Sequence, residues 1–186
     1  MEVTVRAPAK VNLHLGVGAP REDGFHPLVT VYQAVGLYDD LTARTAPGWS
    51  LGVGLPDWMD DDAVPLNGAN IVDQAADLLA AHHGIERTGE LHIAKAIPVA
   101  GGMAGGSADA AAALVALDRL WGLDTTDDDL LALAARLGSD VPFALLGGTA
   151  LGTGRGEVVT PVQDRGTWWW VVVPSETGLA TPEVYR

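Results

Sequence analysis

Between positions 98 and 109 the chain reads Pro-Val-Ala-Gly-Gly-Met-Ala-Gly-Gly-Ser-Ala-Asp, with Gly101, Gly102, Gly105 and Gly106 crowded into one short stretch. Before it, Glu90-Leu91-His92-Ile93-Ala94-Lys95 alternates polar and apolar side chains as a strand does. After it, residues 108–121 are apolar nearly all round, the pattern of a helix buried on several sides. A glycine-rich passage from strand to helix turns sharply and can bring several N–H groups against one guest without Cβ obstruction. Amides at a helix start lack intrahelical acceptors, and the helix dipole favours negative charge there, so phosphate is the natural guest. The Ser107 hydroxyl can donate to a phosphate oxygen or stand near its metal ion. A tight turn without ligand is the alternative, but this many glycines exceed what one turn demands. The loop is not a P-loop, because no lysine follows the last glycine, and its glycines miss the G-x-G-x-x-G spacing of a dinucleotide fold.

Charge sharpens that reading. The 186 residues hold 11 Lys plus Arg against 24 Asp plus Glu, a formal charge of −13. Such a surface repels nucleic acid and anionic membranes, so an anionic ligand must be met locally by backbone amides and a few placed cations. The chain has no cysteine, which excludes disulfides, thiolate metal sites and cysteine nucleophiles. With 48% hydrophobic residues it can build a core. No leader pattern and no long apolar run is visible, so a cytoplasmic location is expected.

The remaining pattern predicts an α+β chain. A strand is expected over 2–7, ended or edged by Pro8 and resuming over 10–15. A longer strand is expected over 28–38, with 41–44 as its hairpin partner, and loop with a short strand over 45–67. A helix over 70–79 should stop at Gly84, and a capping box at Thr126 should start another that stops at Gly138. Residues 141–151, 158–159 and 167–173 read as further strands, the last including Trp168-Trp169-Trp170 as a core strand with one outward ring. The runs Asp60–Asp62 and Asp127–Asp129 read as solvated or capping charges.

Three segments carry a resemblance. Pro98 to Asp109 resembles the P-x-x-x-G-L-G-S-S-A box of the GHMP superfamily of small-molecule kinases. Ala7-Pro8-Ala9-Lys10-Val11-Asn12-Leu13-His14-Leu15, followed by Asp23-Gly24-Phe25-His26, resembles the N-terminal motifs of the branch that acts on a cytidine diphosphate-linked methylerythritol. Gly138-Ser139-Asp140-Val141-Pro142-Phe143 resembles that branch's G-[AS]-D-V-P-[FV] motif. The resemblance implies ATP-dependent phosphorylation of the 2-hydroxyl of that substrate, in the non-mevalonate route to isoprenoid precursors, with Mg²⁺ delivered with ATP. It also implies a fold like the second domain of ribosomal protein S5, followed by a ferredoxin-like half. The chain ends at Arg186, where the family continues, so one ATP- and substrate-binding domain over 1–186 is expected, with the ferredoxin-like half absent from this chain.

Residue by residue, the resemblance makes Asp140 the group that accepts the hydroxyl proton and Lys10 the cation beside it. It assigns substrate contacts to Asn12, to Phe25 and His26 against the cytosine, and to Thr181 and Tyr185, the latter closing a stack from the other side. It assigns nucleotide contacts to Asn70 and Lys95 near the adenine. The phosphate cradle is Pro98, Val99, Ala100, Gly101, Gly102, Met103, Ala104, Gly105, Gly106, Ser107 and Ala108. Phe25 stands where tyrosine is commoner, Ala100 and Ala104 where glycine is frequent, and Ala108 where a second serine is usual, so the loop offers one hydroxyl in place of two and the metal ligands stay open, Ser107 being a candidate. Another GHMP kinase, of homoserine or mevalonate type, and a nucleotide-binding fragment without turnover are the rival readings. Phe25, His26 and Tyr185 distinguish the first, because only a cytosine-bearing substrate needs that pair of rings.

Overall fold

Two long strands organise the sheet. β1 (Glu2–Val17) and β2 (Leu28–Arg44) pair antiparallel along nearly their whole length. In this computed structural model the described residues are 1–22, 24–60, 64 and 70–173. Pro8 does not end β1: it lies opposite Tyr38, and the register shifts between Pro8 and Ala9. A proline is tolerated there because, among the described strands, β1 pairs with β2 alone and its other edge carries no strand. Nor is 41–44 a hairpin partner. It continues β2, pairing with β1 on one side and with β4 (Gly89–Ala94) on the other.

β3 (Trp49–Gly54) runs parallel to β4, and the crossover between them carries α1 (Ile71–His83). Asn70 caps α1 by accepting from the Val72 N–H at 2.9 Å, and Gly84 ends it in the left-handed region. The other end of β2 pairs with β5 (Thr149–Thr153), which pairs with β6 (Val158–Pro161). β2 is therefore the spine, and anything at its middle can reach both halves of the sheet.

α2 (Gly105–Trp121) lies across β1 and β2 and touches α1 and α4 (Val141–Leu146). Its buried face is largely alanine, with Ala108, Ala110, Ala111, Ala112, Ala113 and Ala116 all enclosed. Small side chains let this helix sit close to the sheet, while Leu114 and Leu117 fill the space toward its neighbours. α3 (Asp127–Leu137) begins at the predicted capping box, where Thr126 Oγ1 accepts from the Asp129 N–H at 3.1 Å.

Two strand predictions fail. Residues 141–146 form α4 and only 149–153 form a strand, because a short apolar run does not distinguish a buried helical turn from a buried strand. Pro142, whose fixed φ suits the first helical turn, was the cue for the helix. Residues 167–173 make no strand among the described residues and are not core: Trp168, Trp169 and Trp170 are 61%, 93% and 47% exposed. Aromatic and β-branched composition reports a fit to a sheet surface, but among the described residues no strand pairs with this segment, which meets β2 through the Trp170 indole donating to Gln33 Oε1 at 3.1 Å. Four helices stand among the described residues where three were expected. None of the described helices is long and apolar enough to cross a membrane.

Candidate active site

α2 starts at Gly105, so Gly105, Gly106 and Ser107 are its first turn and the loop proper is 98–104. Ala104 precedes the helix in the left-handed region (φ 59°, ψ 35°) and no side chain caps the first amides. Ala100, with φ 56°, is left-handed too, so both alanines stand at backbone angles that suit glycine. A Cβ on Gly105 would lie 3.1 Å from Ile97 Cγ2 and 3.1 Å from Lys95 Nζ, whereas one on Gly102 would meet nothing within 4 Å. Gly105 is thus required by packing from beneath, and Gly102 leaves the outer side of the loop open. The Met103 side chain turns inward, 5% exposed, and anchors the loop on the core.

The loop is tied to the N-terminal strand. The Lys10 N–H donates to the Met103 carbonyl at 3.1 Å, across the edge of β1 away from β2. The Lys10 side chain is nearly buried, and its Nζ donates to Asn12 Oδ1 at 2.8 Å and lies 3.6 Å from Asp140 Oδ2. Asn12 in turn donates to Thr30 Oγ1 at 2.7 Å. Asp140 immediately precedes α4 without capping it; its Oδ1 accepts instead from the Tyr32 hydroxyl at 2.9 Å. The predicted couple is therefore assembled from β1 and the start of α4, next to the glycine loop. Tyr32 was missed because alternation along β2 marks it only as a buried position.

Lys95 turns its side chain inward. Its side chain is 1% exposed and its Nζ is hydrogen-bonded to Asp39 and, at 2.8 Å, to Asp109, so the ammonium group is held in the interior. Asp39 also accepts from the Ala96 and Ile97 N–H groups, at 2.6 and 2.9 Å. The triad ties β2, the exit of β4 and α2 together directly beneath the loop. Burial pushes the Asp109 carboxyl up to about 7, against the pull of Lys95. Its Oδ1 is enclosed and has no hydrogen-bond partner among the described residues, as suits a carboxyl that holds its proton near neutrality. Asn70 is 4% exposed and serves as the α1 cap. Ser107 is half-buried on the first turn of α2.

His26 and Phe25 sit beyond the far end of β1. His26 Nδ1 shares a hydrogen bond with the Gly18 carbonyl at 2.8 Å. Phe25 is 48% exposed, and the Arg155 guanidinium lies 4.7 Å from its ring centroid. Arg155, in the β5–β6 turn, is a second residue that no sequence motif singled out. Thr181 and Tyr185 lie outside the described residues, as do Asp61 and Asp62. Asp127–Asp129 form the acidic first turn of α3, and no group of metal-ligating side chains occurs among the described residues.

Residues 70–148 match the profile of the GHMP kinases N terminal domain. A protein of Nocardioides sp. named 4-diphosphocytidyl-2-C-methyl-D-erythritol kinase is 94% identical over 182 residues, covering 98% of this chain and 61% of its own length. The chain is similar to the GHMP kinases over this stretch and to their cytidyl-erythritol branch over nearly its whole length. The Salinispora arenicola protein of the same name is 55% identical over 186 residues, covering 98% of this chain and 57% of its own length. The chain thus spans about three-fifths of the length of the curated relatives it matches. A crystal structure of 4-(cytidine 5'-diphospho)-2C-methyl-D-erythritol kinase superposes with a TM-score of 0.68 at 36% identity, over 86% of this chain and 55% of that one. A D-glycero-D-manno-heptose 1-phosphate kinase from Bacteriodes thetaiotaomicron superposes with a TM-score of 0.67 at 15% identity, over 89% and 61%, and shares the fold.

Proposed function

We propose that this chain forms the ATP- and substrate-binding part of a kinase that phosphorylates the 2-hydroxyl of 4-diphosphocytidyl-2-C-methyl-D-erythritol. The observation that carries the reading is the Lys10 residue: its side chain lies 3.6 Å from the Asp140 carboxylate while its main chain is hydrogen-bonded to the glycine loop. Acid–base machinery and phosphate cradle are then one strand apart. The named relatives support the choice of substrate, and the domain is proposed to run over 1–186.

In this reading the open side of loop 98–104 and the uncapped first turn of α2 receive the triphosphate of ATP, which supplies the phosphoryl group. Asp140 accepts the proton of the substrate hydroxyl as that oxygen attacks. Lys10 keeps Asp140 ionised and offsets negative charge gathering on the transferring group. Asn12, held by Lys10 and Thr30, orients the hydroxyl-bearing end of the substrate. Phe25 offers a ring face to the cytosine and His26 a polar edge, with Thr181 and Tyr185 completing that end. Asn70 and Lys95 border the adenine side, the Lys95 ammonium group bracing the loop from below. The donor set fits an ion brought in on the nucleotide, because Ser107 at the first turn of α2 is the hydroxyl placed to meet it, and Mg²⁺ is the ion proposed. ATP as donor implies a cytoplasmic setting.

The test is a product assay with ATP, Mg²⁺ and the cytidyl substrate, run on this chain and on its extension to the length of the relatives. Formation of the 2-phosphate by either supports the reading. Failure of both, or equal turnover of homoserine or mevalonate, overturns it.

A further inference from the structure

Tyr32 is 2% exposed in the first third of β2, and its hydroxyl donates to Asp140 Oδ1 at 2.9 Å. The other oxygen of the same carboxylate, Oδ2, is the one 3.6 Å from Lys10 Nζ. The two partners therefore hold opposite oxygens of Asp140 from two neighbouring strands. The Tyr32 ring stacks on Phe143, three residues after Asp140 on α4, with centroids 4.8 Å apart and planes 26° off parallel. Lys10 Nζ is 5.9 Å from the same ring centroid.

The surrounding backbone is cut to admit this ring. A Cβ on Gly152 would lie 2.5 Å from Tyr32 Cε2 and 2.9 Å from Thr30 Cγ2, and a Cβ on Gly156 would overlap the Tyr32 hydroxyl oxygen. Gly152 is on β5 and Gly156 follows in the β5–β6 turn, so two separate backbone positions clear the slot. Simple core filling needs no such clearance around a hydroxyl, nor a phenol aimed at a carboxylate.

We infer that Tyr32 is a positioning residue for phosphoryl transfer, fixing through its hydroxyl which way the Asp140 carboxylate faces. This rests on the reading of Asp140 as the proton acceptor. Asp140 stands at the start of a short helix without a cap bond of its own, so its χ angles are set by what it meets. With Oδ1 occupied by a donor from the sheet, Oδ2 is presented beside Lys10. A carboxylate anchored at one oxygen loses less freedom when it takes up a proton at the other, an advantage of preorganisation that appears in kcat.

The test compares Tyr32→Phe, Asp140→Asn and the double variant in steady-state turnover, on this chain and on its full-length extension. Tyr32→Phe keeps the ring, its Phe143 stack and the glycine slot, and removes only the hydroxyl. The expected result is a fall in kcat of about fivefold to tenfold with both KM values within twofold, and no further loss when Tyr32→Phe is added to Asp140→Asn. Unchanged kcat in Tyr32→Phe beside an inactive Asp140→Asn overturns the inference and leaves the proton-acceptor reading intact. Substantial turnover in Asp140→Asn overturns that reading and the inference with it. A rise in KM matching the fall in kcat, with a lowered melting temperature, shows Tyr32 to be structural only.

Discussion

The main-chain N–H of Lys10 donates to the carbonyl of Met103 at 3.1 Å, joining the strand that carries the cation to the loop proposed to receive phosphate. One residue thus serves two parts of the site, its backbone fixing the loop and its side chain reaching Asp140. Displacing β1 relative to α2 would separate base and cradle together. That coupling makes the following expectations specific.

Asp140→Asn keeps the side-chain volume and the bond from Tyr32 but cannot accept a proton. Turnover is expected to fall at least about 100-fold, the usual scale for a positioned base, while ATP affinity stays within a few-fold. Rapid-quench kinetics with equilibrium ATP titration measures both; a near-normal rate refutes the assignment.

Phe25, His26 and Arg155 belong to the substrate end of the reading. His26→Ala is expected to raise KM for the cytidyl substrate far more than KM for ATP. Arg155→Met removes the cation lying 4.7 Å from the Phe25 ring and should act in the same direction more weakly. Equal effects on both KM values count against cytosine recognition.

The loop backbone answers to substitutions in opposite senses. Gly105→Ala puts a Cβ 3.1 Å from Ile97 and from a lysine pinned by two carboxylates, so a loss of about 1–3 kcal/mol and weaker ATP binding are expected. Ala104→Gly relieves a left-handed alanine and should be neutral to stabilising by up to about 1 kcal/mol. Urea unfolding of the two variants reads the difference directly.

Asp109 gives the fold a pH signature. Its folded carboxyl holds a proton up to about 7, whereas 3.8 is its ordinary value, so between these the native state binds more protons than the unfolded chain. Its contribution to stability is fully present below about 3.8 and is lost as pH rises through about 7. Asp40 and Asp164, whose carboxyls are held below the ordinary range by hydrogen bonds from Arg6 and from Thr149, act in the opposite sense at the acid end. Unfolding free energy measured at pH 5 and pH 8 should decline toward pH 8, and the decline should shrink in Asp109→Asn. An identical slope in the variant assigns the dependence elsewhere.

Much of the architecture was legible in local pattern. Alternation located β4, Thr126 and Gly84 marked helix boundaries, and crowded glycines before an apolar helix marked the loop. These features depend on neighbours a few residues away, and their physics is the same in any fold: periodic burial, unpaired end amides and backbone angles that suit glycine. The α4 segment and the exposed tryptophans were misread because short apolar runs carry no period, and their state is decided by whatever packs against them. Lys95 shows the same limit more sharply. Nothing nearby in the chain announces that Asp39, 56 residues away, and Asp109 will enclose its ammonium group. Tyr32 and Asp140 lie 108 residues apart, and their bond exists because the residue that opens α4 is brought up to the first third of β2. The chain's own order of residues therefore determined which pieces could bind phosphate or move a proton. Only the packing of distant strands and helices determined their distances, because hydrogen bonds and ion pairs act over a few ångströms of space whatever the separation along the chain.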